Sequence, residues 1–141
     1  MYSPSGNAAS KQYRRMDVQH EVETATPHRL IQLMMERVMT KVGVARGYME
    51  RKAVSEKGVH IGDAISIING LQASLNHKPN SRLSGNFDTL YDYMCRRLLE
   101  ANLSNDPAIL DEVSGLMREM KEAWDAIAPE ANAVSRQAAA I

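Results

Sequence analysis

Residues 90–106, Leu-Tyr-Asp-Tyr-Met-Cys-Arg-Arg-Leu-Leu-Glu-Ala-Asn-Leu-Ser-Asn-Asp, decide the fold. At about 100° per residue, Leu90, Tyr91, Met94, Leu98 and Ala101 gather on one face, as in a helix that packs into a core. The period stops near Leu103, at Ser104-Asn105-Asp106. Asp106-Pro107 then opens a second helix. The carboxylate is placed to accept from the free amides of the first turn, and proline there lacks only an N–H that would have no partner. Two helices joined by so short a loop lie antiparallel.

Working outward, Thr26-Pro27 repeats the cap-then-proline signature and starts a helix that can run to about Lys52. Gly43 and Gly47 weaken it by roughly 1 kcal/mol each relative to alanine. Its apolar positions include Ile31, Leu33, Met34, Met35, Val38, Met39, Val42 and Tyr48, and they cover an arc of roughly 240°, wider than the stripe of an ordinary surface helix. Ser55-Glu56-Lys57-Gly58 reads as a polar connection. The next helix, to about Asn76, carries a narrow stripe of Ile61, Ala64, Ile65, Ile68, Leu71 and Leu75, with Ile67 just outside it. Residues 77–86 read as the longest internal loop, with Asn86 capping the third helix. That helix is again wide, because Tyr93, Cys95 and Leu99 flank its main face. The fourth runs from Pro107 to about Ile127, with Ile109, Val113, Met117, Met120 and Trp124 in a narrow stripe.

These signals predict an all-α protein, an antiparallel up-down-up-down four-helix bundle over residues 26–128. Residues 1–25 read as a flexible N-terminal arm in which Tyr13 and Met16, three apart, can dock as one turn of helix. Residues 129–141 read as an alanine-rich tail, either a short, frayed fifth helix or disordered. The two wide helices, first and third, are diagonal in such a bundle. Either their excess apolar surface is left for a partner, or it packs against both neighbours and the arm.

Composition narrows the function. At 141 residues the chain is one domain, with 17 Lys/Arg against 17 Asp/Glu, so no net field favours nucleic acid. No apolar run is long enough for membrane insertion and the N-terminus lacks a signal peptide, which places the protein in the cytoplasm. A lone cysteine, Cys95, excludes an intrachain disulfide and a cysteine zinc site. Nine methionines against one phenylalanine suit surfaces that repack around varied apolar partners. Phosphate-cradling glycine loops, a nucleophile elbow and Glu-x-x-His metal pairs are all missing from the sequence, so no cofactor, metal or catalytic residue is assigned. His20, His28, His60 and His77 fall at helix ends or outside helices and read as solvated, His28 being a modest pH sensor at most. Asp92, Arg96 and Glu100 read as i,i+4 ion pairs on a solvated face.

Several stretches together resemble the FliS family of flagellar export chaperones. They are Tyr13, Thr24-Ala25-Thr26-Pro27 with Leu30-Ile31-Gln32, Ile68 to Asn76, Leu90-Tyr91-Asp92-Tyr93-Met94, Arg96-Arg97-Leu98, Ala101-Asn102-Leu103, Glu112-Val113 and Glu122-Ala123-Trp124. The pattern spans about residues 13–127 in order, and departs from the family at Met35-Glu36-Arg37, where a tyrosine, an acid and a small residue are usual. The resemblance implies a cytoplasmic chaperone that binds the C-terminal segment of flagellin, prevents premature polymerisation and helps deliver it to a flagellar export gate protein. It also implies that the N-terminal arm lies over a groove in the free protein through Tyr13 and Met16. With that client, the spare faces assign flagellin binding to Leu33, Met35, Met39, Val42, Ile67, Tyr93, Leu99 and Asn102. The rival readings are a self-associating bundle adaptor with a different flagellar client and, disfavoured by its missing ligands, a small metal or redox enzyme. A homodimer stays open.

Overall fold

A computed structural model describes residues 25–75 and 82–127, and within that range the regular structure is four helices joined by short turns. The helices are α1 (Pro27–Glu50), α2 (Val54–Ala73), α3 (Arg82–Ser104) and α4 (Pro107–Asp125). Each packs against its neighbour in the chain, and α1 closes the ring against α4, so α1 and α3 are diagonal as the sequence predicts. The expectations for the N-terminal arm and the tail, including Tyr13 and Met16, lie outside the described residues.

Two of the four starts follow directly from side-chain chemistry. Thr26 Oγ1 accepts from the Arg29 amide at 3.1 Å ahead of Pro27, and Asp106 Oδ1 accepts from the Ala108 amide at 3.0 Å ahead of Pro107. Each oxygen satisfies an amide that the helix cannot. The turn from α1 to α2 takes three residues. Lys52 adopts a left-handed conformation (φ 60°) while its amide bonds to Met49 O and that of Ala53 to Tyr48 O, the paired pattern that closes a helix C-terminus. Asn105, also left-handed (φ 54°), closes α3.

The core is a single cluster to which every helix contributes: Met35, Val38 and Val42 from α1, Ile61, Ile68 and Leu71 from α2, Tyr91, Met94 and Leu98 from α3, and Leu110, Met117 and Trp124 from α4. Burial pushes the Tyr91 hydroxyl well above the ordinary tyrosine range.

Two expected boundaries are corrected. Ser55-Glu56-Lys57-Gly58 is not a connection but the first turn and a half of α2. Likewise α3 begins at Arg82, so Asn86 lies inside it, exposed, and does not cap it. In both places a polar residue turns inward: Lys57 and Ser84 are buried, and hydrophobic patterning cannot anticipate either. Lys57 is only 2 % exposed, yet its Nζ donates to Asn102 O at 2.9 Å and also to Asn105 Oδ1. A cation from the first turn of α2 thus sits on the last carbonyls of α3, where the helix dipole favours positive charge.

Candidate functional site

The wide arcs of α1 and α3 have different outcomes. On α1, Ile31, Met34 and Met39 pack against the core as partly buried residues, and Met34 Cε fills the space beside Gly70, 3.2 Å from where a β-carbon would stand. The excess of α1 is therefore largely packed away, with Val44 left 38 % exposed. On α3 the excess stays open: Leu99 is 55 % exposed and Leu103 88 %.

Leu99 and Leu103 stand one turn apart on the exposed side of α3, and Leu99 flanks the seam with α2. Gly58 faces Asn102, whose Oδ1 lies 3.8 Å from the position of a β-carbon on the glycine, and Asn69 faces Cys95, with Oδ1 3.8 Å from Sγ. In that antiparallel register Leu99 lies level with Gly62, where a β-carbon would meet nothing within 4 Å. Ile65 and Cys95, partly buried against the core, stand between the two helices, and Val59, 59 % exposed, stands on the outer side of α2. Glycine on α2 opposite leucine on α3 leaves an exposed apolar strip along the α2–α3 seam, here called the furrow, the kind of surface on which amphipathic helices dock. Gln72 closes the far end by donating to Asp88 and Asp92, both at 2.8 Å. Lys57 holds the near end by fixing the last turn of α3.

The eight residues that the sequence assigned to binding do not converge here. Leu99 and Asn102 do. Met35 and Val42 are corrected: they are fully buried in the four-helix core, because on α1 they lie on the same stripe as Val38 and Ala45. Met39 packs against the core, and Leu33 is partly exposed on α1, away from the groove. Ile67 lies on the side of α2 that carries Asp63 and Gly70, which face Lys41 and Met34 of α1. Tyr93 turns to α4, where its hydroxyl donates to the Glu112 carboxylate at 3.0 and 3.1 Å. Sequence reasoning missed Gly58, Gly62 and Leu103. The signal available for the glycines was their spacing of four within a helix, where each costs stability and calls for a packing or functional reason.

Ion pairs bridge the other seams, Lys41 to Asp63 between α1 and α2 among them. Arg97 pairs with Glu112 at 2.7 Å and with Glu100 at 2.5 Å, which ties α3 to α4, and the pairs expected from Arg96 are replaced by these. Across the α1–α4 seam Arg46 pairs with Asp111 and Lys121 with Glu36, while Lys121 also pairs with Asp125 one turn on within α4. Burial and the nearby Asp92 raise the Cys95 thiol above its ordinary value, which leaves it a small apolar wall residue and a poor nucleophile. The solvated reading of the histidines is corrected at two positions. His28 is buried, stacked on Trp124 with centroids 4.8 Å apart, and His60 is partly buried inside α2, stacked on Tyr48 at 5.4 Å. His20 and His77 lie outside the described residues. Among the described residues no group of acids, histidines and cysteine could hold a metal ion, and no helix is long and apolar enough to cross a membrane.

Comparison with known proteins bears on the family. The family model described as flagellar protein FliS matches residues 9–131. The chain is 50 % identical over 119 residues to the flagellar secretion chaperone FliSB of Pseudomonas aeruginosa, covering 84 % of this chain and 94 % of that protein. It is 40 % identical over 133 residues to the flagellar secretion chaperone FliS of Salmonella typhimurium, covering 94 % and 96 % of the two chains. With the FliS of Escherichia coli the identity is 37 % over 125 residues, or 88 % and 90 % of the chains. A family model spanning residues 9–131 and near-full-length matches to flagellar secretion chaperones, on an all-helical bundle, lead to one assignment: the chain belongs to the FliS family.

Proposed function

We propose that this protein is a cytoplasmic flagellar export chaperone whose client is flagellin, bound through its C-terminal segment, kept from polymerising early and passed to the flagellar export gate. The observation that carries the reading is the α2–α3 furrow, where Leu99 and Leu103 remain exposed beside the side-chain-free Gly62 in a chain of the FliS family. A segment that builds a filament core is apolar, and before assembly it lacks the partners that bury it. Laid into the furrow as an amphipathic helix, it covers the leucines and shields its own apolar face. Ordering such a segment consumes about 2–5 kcal/mol or more of the contact energy, so affinity stays moderate and release needs no chemical step.

Calorimetric titration with a C-terminal flagellin fragment tests the reading, with a fragment lacking that segment as control. Sub-micromolar, stoichiometric binding with a strongly negative heat-capacity change supports coupled folding into an apolar furrow. An absence of heat and of a stable complex with the C-terminal fragment would reject flagellin as the client.

A further inference from the structure

At the opposite end of α1 from the turn into α2, a partly buried polar chain joins its start to the last turn of α4. His28, 4 % exposed, stacks on Trp124 with the ring planes 15° apart, and Trp124 Nε1 donates to the His28 carbonyl at 3.0 Å. The Gln32 amide nitrogen donates to Asp125 Oδ1 at 2.7 Å, while its oxygen accepts from Arg29 Nη1 at 3.2 Å. These two bonds fix the orientation of the amide, so the group that it presents to His28 Nε2, 3.5 Å away, is the nitrogen. A ring nitrogen facing an N–H carries its lone pair there. The proton of neutral His28 is then on Nδ1, which is buried without a hydrogen-bond partner.

We propose that His28 is the titratable element of a latch between the first turn of α1 and the last turn of α4, closed while the imidazole is neutral and opened when it is protonated. A second proton must go to Nε2, directly against the Gln32 N–H group. Relief requires Gln32 to turn its oxygen inward, which gives up the bond to Asp125, or the imidazolium to leave its stack. Among the described residues, the charged groups facing this end are Asp125 and Lys121 from α4 and Arg29 and Glu36 from α1. Lys121 neutralises Asp125 at 2.8 Å, which weakens the one carboxylate able to stabilise the imidazolium. Burial accordingly holds His28 below the ordinary histidine value, with Asp125 opposing. A lowered folded-state value means that the unfolded chain takes the proton first. The stability contributed by neutral His28 is present above the ordinary value of 6.5 and declines as pH falls through it toward the folded-state value.

The test uses the full-length protein. Heteronuclear NMR reports the tautomer and titration of each imidazole, His28 being the signal absent from His28→Phe. Trp124, the chain's one tryptophan, reports on the stack by its emission. The expected result is an Nδ1–H tautomer, a midpoint below 6.5 and a change in Trp124 emission with the same midpoint while helicity is retained. Gln32→Ala, which removes the facing N–H, should raise that midpoint. A His28 midpoint at or above the ordinary value, an Nε2–H tautomer, or Trp124 emission unmoved through the titration would overturn the latch. The titration of the unsubstituted protein decides even if His28→Phe fails to fold.

Discussion

Replacing Lys57 with methionine isolates the contribution of its charge to the furrow. The two side chains are of similar length, so the buried stem is kept and the ammonium alone is lost. Two hydrogen bonds disappear, to Asn102 O at 2.9 Å and to Asn105 Oδ1. Bonds from a charged donor contribute about 1.5–3 kcal/mol each. Two terms reduce the loss. Asn102 and Asn105 are not fully buried, so water can reach the vacated acceptors, and the desolvation cost of an ammonium that is 2 % exposed is recovered. A net loss of about 1–2 kcal/mol remains, which for a bundle of this size lowers Tm by roughly 5–15 °C. Thermal unfolding followed by circular dichroism measures it. Hydrogen exchange should quicken selectively in the last turn of α3, and a double-mutant cycle with Asn105→Ala should show coupling of about 1 kcal/mol. Because that turn carries Asn102 and Leu103, client affinity should fall as well. A Lys57→Met protein as stable as the parent, or more so, would refute the reasoning. It would show that desolvation of the cation outweighs its bonds, as happens when some buried ion pairs are replaced by apolar side chains.

Three further outcomes follow from the same geometry. Met35→Asp places an unpaired carboxylate in the core and should cost upward of about 4 kcal/mol, enough to abolish cooperative unfolding, whereas Leu99→Asp at the surface should shift stability by no more than about 0.5 kcal/mol. Denaturant titration of the two variants separates core from furrow. Gly62→Ala adds a β-carbon that meets nothing within 4 Å and should stabilise α2 by about 0.5–1 kcal/mol, while the bulkier Gly62→Leu should fill the furrow and weaken client binding in calorimetry without loss of helicity. Asp125 is raised by burial, but bonds from Lys121 and Gln32 outweigh this and hold its carboxyl below the ordinary value of 3.8. The stability it contributes is therefore present above that value and lost as pH falls through the folded-state value, so Asp125→Asn should flatten the acid limb of a stability–pH profile below about pH 4.

What was legible in the sequence was what short-range chemistry determines. Thr26-Pro27 and Asp106-Pro107 each pair an acceptor side chain with a proline that needs none, and both helix starts stand where that pairing puts them. The narrow stripe on α4 and the core roles of Tyr91 and Met94 follow from periodicity alone. What was not legible depends on partners distant in the chain. Lys57 reads as solvated until Asn102 and Asn105, more than forty residues away, supply its acceptors. His28 reads as a solvated first-turn residue until Trp124 covers it. The arc of α1 is wide because both neighbouring helices draw on it, while the equally suspect arc of α3 stays open because α2 offers Gly62 opposite Leu99. Residue class could not distinguish these two cases; the small residues of the neighbouring helix do.

A client that docks on the α2–α3 furrow leaves the four-helix core closed. The most direct test is calorimetric titration of a C-terminal flagellin fragment into the parent protein and into the double variant Leu99→Asp/Leu103→Asp, each with its thermal unfolding recorded. Docking there should show as at least about a tenfold loss of affinity, some 1.4 kcal/mol, in a variant whose Tm stays within a few degrees of the parent's. Undiminished affinity in that folded variant would contradict it and move the client to another face of the bundle.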